Sequence, residues 1–185
     1  MSELDQILAS IKTAETTQAS RRAWNPEHQA EIDIRIATDG SWHHEGRRFQ
    51  RDSMVKLFAG ILRREQNDYY LVTPAEKLRI QVEDAPFVAV LVEQLNDSGT
   101  TAIVFTTNIG ERIVVDQTHD LRVEIDAQTQ QPRPYLHLRD GLEALISRSA
   151  FYDLLNLAYE TECNGAACLA ITSMGQEFTL GKIDG

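Results

Sequence analysis

The chain has 185 residues, of which 42% are hydrophobic and 25% are charged, and 28 acidic against 18 basic residues give it a formal net charge of −10. This composition is typical of a globular protein with a substantial core and excludes a disordered, collagen-like or low-complexity chain. The net acidity argues against binding of long nucleic acid, because that mode needs a surface rich in Lys and Arg.

The charge is unevenly distributed along the chain. Residues 35–79 carry nine basic and six acidic side chains, so this stretch has a net charge of +3 while the remainder carries −13. A local basic surface is therefore compatible with one small anion, although the chain as a whole would repel an extended polyanion.

Neither a membrane-spanning segment nor a metal site is predicted. The longest uncharged apolar run, residues 87–92, is far shorter than the roughly 20 residues of a membrane-spanning helix. The first residues are acidic, unlike a secretory signal, so we expect a cytoplasmic protein without membrane insertion.

Cys163 and Cys168 are too few ligands for structural zinc; we expect two reduced thiols or, alternatively, a regulatory disulfide.

The first predicted elements form an N-terminal arm and a hairpin. Residues 2–19 place apolar side chains at helical spacing, which predicts an amphipathic helix followed by a short linker. Residues 32–36 alternate between apolar and polar, and a turn at 38–41 leads to a second strand with His43 and His44. These neighbouring histidines point to opposite faces of that strand, so they cannot share a metal ion.

Helical spacing returns at residues 51–66, and strands are predicted at 69–72 and 78–83. The following residues are predicted to form mainly strands separated by Asn- and Gly-containing turns. The predicted strands of this second part are 87–95, 101–107, 112–115, 121–126, 135–139, 168–173 and 176–183, with a helix from residue 148 to about 160.

The second part of the chain repeats features of the first. The alternation at 121–126 matches that at 32–36, and residues 148–155 align with 51–58. We interpret this as a duplicated hairpin-helix-hairpin unit in an α+β fold with mostly antiparallel sheets; the alternative is a chance similarity between two α+β segments. The predicted division is an N-terminal helix and linker at 1–20 and two halves at 21–85 and 86–185.

The most specific polar pattern lies on the predicted strand at 78–83. Period-two geometry places Leu78, Ile80 and Val82 on one face and four polar side chains on the other. Arg can bind phosphate through two hydrogen bonds, Lys adds a point charge, and Gln or Glu can bind a base or sugar edge, with Tyr70 available for stacking. A solvated strand face with weak cross-strand ion pairs is the alternative. The four polar residues are Lys77, Arg79, Gln81 and Glu83.

A second polar cluster surrounds residues 106–111 and 116–120. His119 between Asp116 and Asp120 has the composition of a general base with orienting carboxylates, but no nucleophile lies at a defined spacing. A hydrolase is therefore the least supported of the functions considered, and we predict no catalytic residues.

Several segments together resemble the bacterial domain of unknown function 1285 family. The segment at 69–87 carries most of the resemblance, which covers roughly residues 22–155. The other segments are 32–36, 44–46, 107–110, 134–135, 141–146, Arg148, Phe151 and Tyr152. The family has no established activity.

The resemblance implies a duplicated core, a C-terminal half superficially like pleckstrin-homology domains, and a cleft between the halves for a nucleotide-like ligand in signalling. It therefore favours a ligand-binding role for the polar face of residues 77–83. Weaker candidates for ligand contact are Tyr70, Thr73, Thr107, Asn108, Tyr135 and Arg139.

The predicted function is a cytoplasmic module that binds a small anionic, nucleotide-like molecule and uses no cofactor. The alternative is a protein-interaction scaffold, in which the pleckstrin-like half and the N-terminal helix bind a protein partner.

Overall fold

A computed structural model describes residues 21–97 and 99–183, so the helix and linker predicted at 1–20 lie outside the described residues. The chain divides into two compact units between Asp84 and Ala85. The described residues form mostly β structure with two helices, and antiparallel strand pairs dominate both units. Neither helix is long and apolar enough to cross a membrane.

The N-terminal unit contains one six-stranded sheet and one helix. The sheet has the order β3-β2-β1-β6-β5-β4, in which β1 and β6 are parallel and the other neighbours are antiparallel. We call it the N-terminal sheet. Its elements are β1 (His28–Ile36), β2 (Trp42–His44), β3 (Arg47–Arg48), α1 (Asp52–Ala59), β4 (Leu62–Glu65), β5 (Asp68–Val72) and β6 (Glu76–Val82).

One face of the N-terminal sheet is core. Alternating apolar side chains of β1 and β6 are buried, and Ile34, Ile36 and Leu78 among them are at most 1% exposed. Helix α1 contributes Phe58 to this core, where its ring centroid lies 6.2 Å from that of Trp42. The opposite face keeps its polar residues and forms a surface of the unit.

Helix α1 is shorter than the helix predicted at 51–66. It ends before Gly60, where an added Cβ would lie 2.6 Å from Nη1 of Arg21, whose guanidinium donates to the Gly60 carbonyl oxygen at 3.1 Å. Leu62 then pairs with Leu71 in β4 and β5. The prediction extended too far because Ile61 and Leu62 continue an apolar spacing that also fits the start of a strand.

The C-terminal unit contains a six-stranded sheet, a helix and a three-stranded sheet. The larger sheet has the order β10-β11-β12-β7-β8-β9, with β12 and β7 parallel, and the smaller has the order β13-β14-β15. The elements are β7 (Phe87–Asp97), β8 (Thr100–Thr107), β9 (Arg112–Val114), β10 (Leu121–Ile125), β11 (Pro132–Arg139), β12 (Leu142–Ile146), α2 (Arg148–Asn156), β13 (Tyr159–Cys163), β14 (Ala166–Ser173) and β15 (Gln176–Lys182).

Helix α2 begins after Ser147, whose hydroxyl accepts a hydrogen bond from the Ala150 N–H at 3.3 Å. Its buried side chains include Phe151 and Leu154. The helix was predicted to reach residue 160, but it ends at Asn156 and β13 begins at Tyr159. Strand β12 was not predicted, although its side chains alternate regularly between buried and half-buried.

The two six-stranded sheets have the same strand order. Read from its other edge, the second sheet has the order β9-β8-β7-β12-β11-β10, and each of its strands is numbered six higher than its counterpart in the first sheet. In this correspondence β1 matches β7, because both are central strands in a parallel pair, whereas β10 is an edge strand. The sequence suggested a repeated unit of a hairpin, a helix and a hairpin. The structure has three strands, a helix and three strands in β1–β6 with α1 and again in β10–β15 with α2.

Cys163 and Cys168 form a disulfide that joins β13 to β14. The expectation of two reduced thiols therefore differs from the structure, which has the disulfide considered as the alternative. The two cysteines come together because β13 and β14 form a hairpin in which Thr161 is opposite Cys168.

Candidate functional site

A row of basic side chains crosses the polar face of the N-terminal sheet. Arg48 of β3 is opposite His43 of β2, and His43 is opposite Arg35 of β1. Residues directly opposite each other project from the same face, with Cβ atoms about 5 Å apart in antiparallel pairs. Arg35 is in turn opposite Gln81 of β6. We call Arg48, His43 and Arg35 the basic row, which Gln81 continues.

The turn between β1 and β2 supports the middle of the basic row. The Ser41 hydroxyl donates to Oδ1 of Asp39 at 2.5 Å and lies 2.9 Å from Nε2 of His43. The Ser41 hydroxyl and backbone N–H hold the pKa of Asp39 below its usual value, because both donate to the ionised carboxylate. His44 lies on the opposite face, where its ring stacks on Phe49, as strand alternation predicts.

A groove with a volume of about 370 Å³ lies on the same unit next to Gln81. We call it the polar groove. Its charged lining residues are Arg79, Asp68 and Glu31, and Tyr69 and Asn67 also line it. This places two of the four strongest predicted residues, Arg79 and Gln81, in one depression.

Arg79 is already held by two carboxylates. Its guanidinium donates to Oδ1 of Asp68 at 2.6 Å and to Oε1 of Glu31 at 3.3 Å. These acceptors, with Asp68 first, raise the pKa of Arg79 further above its usual value. Since the side chain is 49% exposed, the pairs are weak and a ligand can compete for the guanidinium.

Lys77 does not lie on the exposed surface that strand alternation predicted for it. Its side chain is only 9% exposed, and its ammonium lies 4.4 Å from the centroid of the Tyr70 ring and forms an ion pair with Glu65. Lys77 and Tyr70 therefore stabilise the packing of β4, β5 and β6, and neither lines the polar groove.

Glu83 follows the last residue of β6 and binds back to β1 and its turn. Its carboxylate accepts hydrogen bonds from the Thr38 backbone N–H at 2.9 Å, from the Thr38 hydroxyl at 3.2 Å and from Arg35. The Thr38 N–H first, and then Arg35, lower the pKa of Glu83, because both stabilise the ionised form.

The threonine and asparagine candidates hold turns. Thr73 is fully buried, and its hydroxyl accepts from the Glu76 N–H at 3.1 Å. The Thr107 hydroxyl accepts from the Glu111 N–H at 3.1 Å, and Oδ1 of Asn108 accepts from the Val88 N–H at 3.1 Å. The two threonine contacts close the connections β5–β6 and β8–β9, which is a common use of such residues, and the Asn108 contact joins the β8–β9 connection to β7.

Tyr135 and Arg139 belong to β11 in the C-terminal unit. The Tyr135 ring is buried under the guanidinium of Arg122, at 4.2 Å from its centroid. Arg139 pairs with Glu111 at 2.9 Å and lies over the Phe87 ring at 5.5 Å. Both residues support the six-stranded sheet of the C-terminal unit, and neither lines the polar groove.

Two sequence families match the chain. The family described as "Domain of unknown function (DUF1285), N-terminal domain" matches residues 21–85, and "Protein of unknown function (DUF1285), C-terminal domain" matches residues 86–180. The chain belongs to the DUF1285 family.

Solved structures of DUF1285 proteins have the same fold. A crystal structure of a DUF1285 family protein from Silicibacter pomeroyi DSS-3 is 40% identical, with a TM-score of 0.83 over 96% of this chain and 95% of that one. Another, from Shewanella baltica OS155, is 30% identical, with a TM-score of 0.53 over 66% of this chain and 90% of that one. No curated protein matches the chain.

Among the residues that the structure describes, no group of three or more His, Cys, Asp or Glu side chains is arranged to hold a metal ion. His119 lies in the loop before β10, where its Nδ1 is 3.1 Å from Asp116 and 3.0 Å from the Thr118 hydroxyl. The Asp116 carboxylate also accepts the N–H groups of Thr118 and His119. These contacts order the loop of this DUF1285 protein, and they give its His119 a structural role.

Sequence reasoning missed Arg35, His43 and Arg48 as candidates. The excess of basic residues at 35–79 was a signal, but it did not say which side chains share a face. The hairpin pairing of β1, β2 and β3 supplies that information, because register determines which residues are opposite one another.

Proposed function

We propose that this DUF1285 protein is a binding module for a small anionic, nucleotide-like molecule with a signalling or regulatory role. The observation that carries the proposal is the basic row, which runs across β3, β2 and β1 and is continued on β6 by Gln81 in the polar groove. No catalytic role is part of the proposal.

The charges suggest how such a ligand would lie. The charged residues of the polar groove are one cation, Arg79, and two anions, Asp68 and Glu31, so the groove disfavours a phosphate. The basic row has three basic side chains and two nearby carboxylates: Glu83 pairs with Arg35, and Asp39 interacts electrostatically with Arg48 and His43. Arg48 is exposed and forms an ion pair with none of the described carboxylates, so its guanidinium is accessible to an anionic ligand. The anionic group would therefore bind at Arg48 and His43, and the uncharged part would lie toward Gln81.

The test is calorimetric titration of the full chain with AMP, adenosine and inorganic phosphate. AMP is expected to bind more tightly than either fragment. Arg48→Ala is expected to weaken AMP binding about fivefold, which is the effect of losing roughly 1 kcal/mol from an exposed charged contact. Gln81→Ala should weaken AMP and adenosine binding equally.

Arg51→Ala is the matched control, because Arg51 is also an exposed arginine but precedes helix α1 outside the basic row. It should leave AMP binding unchanged. Equal loss of affinity in the Arg48 and Arg51 variants, or no saturable binding of AMP by the unaltered protein, would contradict the proposal.

We also propose a pleckstrin-homology-like fold for the C-terminal unit and a cytoplasmic location for the protein. The first is supported by a six-stranded, mainly antiparallel sheet that is followed directly by helix α2 packed on β7. Superposition of an experimental structure of the unit on pleckstrin-homology domains checks this fold.

A further inference from the structure

The C-terminal unit contains a cleft of about 660 Å³ that is separate from the basic row and the polar groove. Helix α2 contributes Phe151 and Leu155 to its lining, and β10 contributes Val123 and Ile125. Pro132 of β11 and residues of the three-stranded sheet, including Leu169, provide the remaining part of the lining. We call this cavity the apolar cleft.

The volume and chemistry of the apolar cleft are those of a small-molecule site. Such sites have volumes of about 300–1,000 Å³ and mainly apolar linings with a few polar groups. Ile125 at the edge of the cleft is 60% exposed, although it is a large aliphatic side chain. An aliphatic ligand would remove this surface from water, which favours binding.

The polar side chains of the lining are restricted to Thr179 and Lys182, both on β15, and no acidic residue lines the cleft. Lys182 is exposed and forms no ion pair with the carboxylates that the structure describes. The cleft therefore combines an aliphatic wall with one positive charge that pairs with none of the carboxylates in the described part of the chain.

We propose that the apolar cleft binds an aliphatic carboxylate. The alkyl chain lies against Ile125, Leu155 and Leu169, and the carboxylate accepts hydrogen bonds from the Lys182 ammonium. Lys182 repels a cationic amphiphile, and a neutral amphiphile leaves the charge of Lys182 without a partner. This inference does not depend on the proposed function of the N-terminal sheet.

The experiment is calorimetric titration of the full chain with octanoate, decanoate and dodecanoate below their micelle concentrations. Each added methylene is expected to strengthen binding by up to about fourfold until the cleft is filled. Decanol is expected to bind two- to fivefold more weakly than decanoate, since an exposed ion pair contributes about that factor. Decyltrimethylammonium should bind more weakly still.

Two variants localise the binding. Lys182→Gln is expected to weaken decanoate binding two- to fivefold while leaving decanol binding unchanged, and Lys182→Arg should restore decanoate binding. Ile125→Glu is expected to weaken decanoate binding at least fivefold, because it removes apolar contact and adds a repelling charge. Ile125 is exposed, so this substitution leaves the core of the unit intact.

The matched controls change residues outside the cleft in the same way. Lys56→Gln alters an exposed lysine of helix α1, and Leu91→Glu alters a leucine that is 58% exposed on β7. Neither should change decanoate binding. The proposal is overturned by absence of saturable decanoate binding, by decanol binding as tightly as decanoate, or by equal effects of the control variants. Saturable binding of a peptide of residues 1–20 in place of the carboxylates would also overturn it and assign the cleft to that segment.

Discussion

Lys77 is a charged side chain that is almost completely removed from water in the N-terminal sheet. Its partner Glu65 is 39% exposed, so the two members of the ion pair differ in their access to solvent. Removing the more buried member leaves a carboxylate that water can hydrate. Removing the exposed member leaves a buried ammonium supported mainly by the Tyr70 ring, and a buried charge without a partner is costly.

We therefore expect Glu65→Gln to lower the free energy of unfolding by about 1–3 kcal/mol and Lys77→Met to lower it by less than about 1 kcal/mol. Urea unfolding followed by tryptophan fluorescence measures this difference, because both tryptophans, Trp24 and Trp42, precede the unit boundary at Asp84. Glu45→Gln, which alters an exposed carboxylate in a turn, serves as the control. A larger loss of unfolding free energy for Lys77→Met than for Glu65→Gln would contradict this account, because it would show that the Lys77 ammonium is adequately solvated without Glu65.

At the scale of elements, a single carboxylate joins the end of β6 to the beginning of the basic row. Glu83 binds the Thr38 N–H in the β1–β2 turn and the guanidinium of Arg35 in β1. This contact complements the parallel pairing of β1 and β6, which links the two three-stranded parts of the sheet. Ionised Glu83 is thus one determinant of how the basic row is positioned.

The pKa of Glu83 is lowered in the folded protein, so its ionised form stabilises the fold. This contribution is present above the unfolded-state pKa of about 4.5 and is lost as the pH falls through the lowered folded-state pKa. Glu83→Gln is therefore expected to reduce the urea midpoint at about pH 7, with the difference from the unaltered protein vanishing in strong acid. A difference that stays constant down to about pH 2 would contradict this account.

At the scale of the whole molecule, two units share one sheet topology but differ in what each adds to it. In the N-terminal unit, α1 lies between β3 and β4 along the chain, so it separates the first three strands of the sheet from the last three. In the C-terminal unit α2 follows all six strands, and the additional three-stranded sheet completes the apolar cleft. The candidate sites of the two units consequently have different chemistry.

The disulfide of the C-terminal unit offers a test of the proposed location. The cytoplasm keeps thiols reduced, so acid quenching and alkylation of intact cells should find both Cys163 and Cys168 as thiols, whereas the protein purified in air should contain the disulfide. The cysteines are separated by only five positions, so we expect reduction to lower the thermal unfolding temperature by less than the loss of a disulfide that closes a long loop would. Recovery of the disulfide from quenched cells would contradict a cytoplasmic location.

Local periodicity predicted most of the elements. Alternation located β1, β6 and β10, and helical spacing located the starts of α1 and α2. Periodicity failed at the C-terminal ends of both helices. Helix α1 ends at Gly60, which contacts the distant Arg21, and the structure of the segment after Asn156 is determined by the pairing of β13 with β14. The overextended helices therefore covered all of β4 and the first residues of β13.

The sequence by itself determined the alternating core faces, the family and the local excess of basic residues at 35–79, because these depend on residue order alone. The tertiary structure decided which charged groups meet. It buried Lys77 beside Tyr70, bound Arg79 to Asp68 and aligned Arg48, His43 and Arg35 on neighbouring strands. Pairing between distant segments sets these contacts, and strand register, which is a property of the folded sheet, decides which side chains are neighbours.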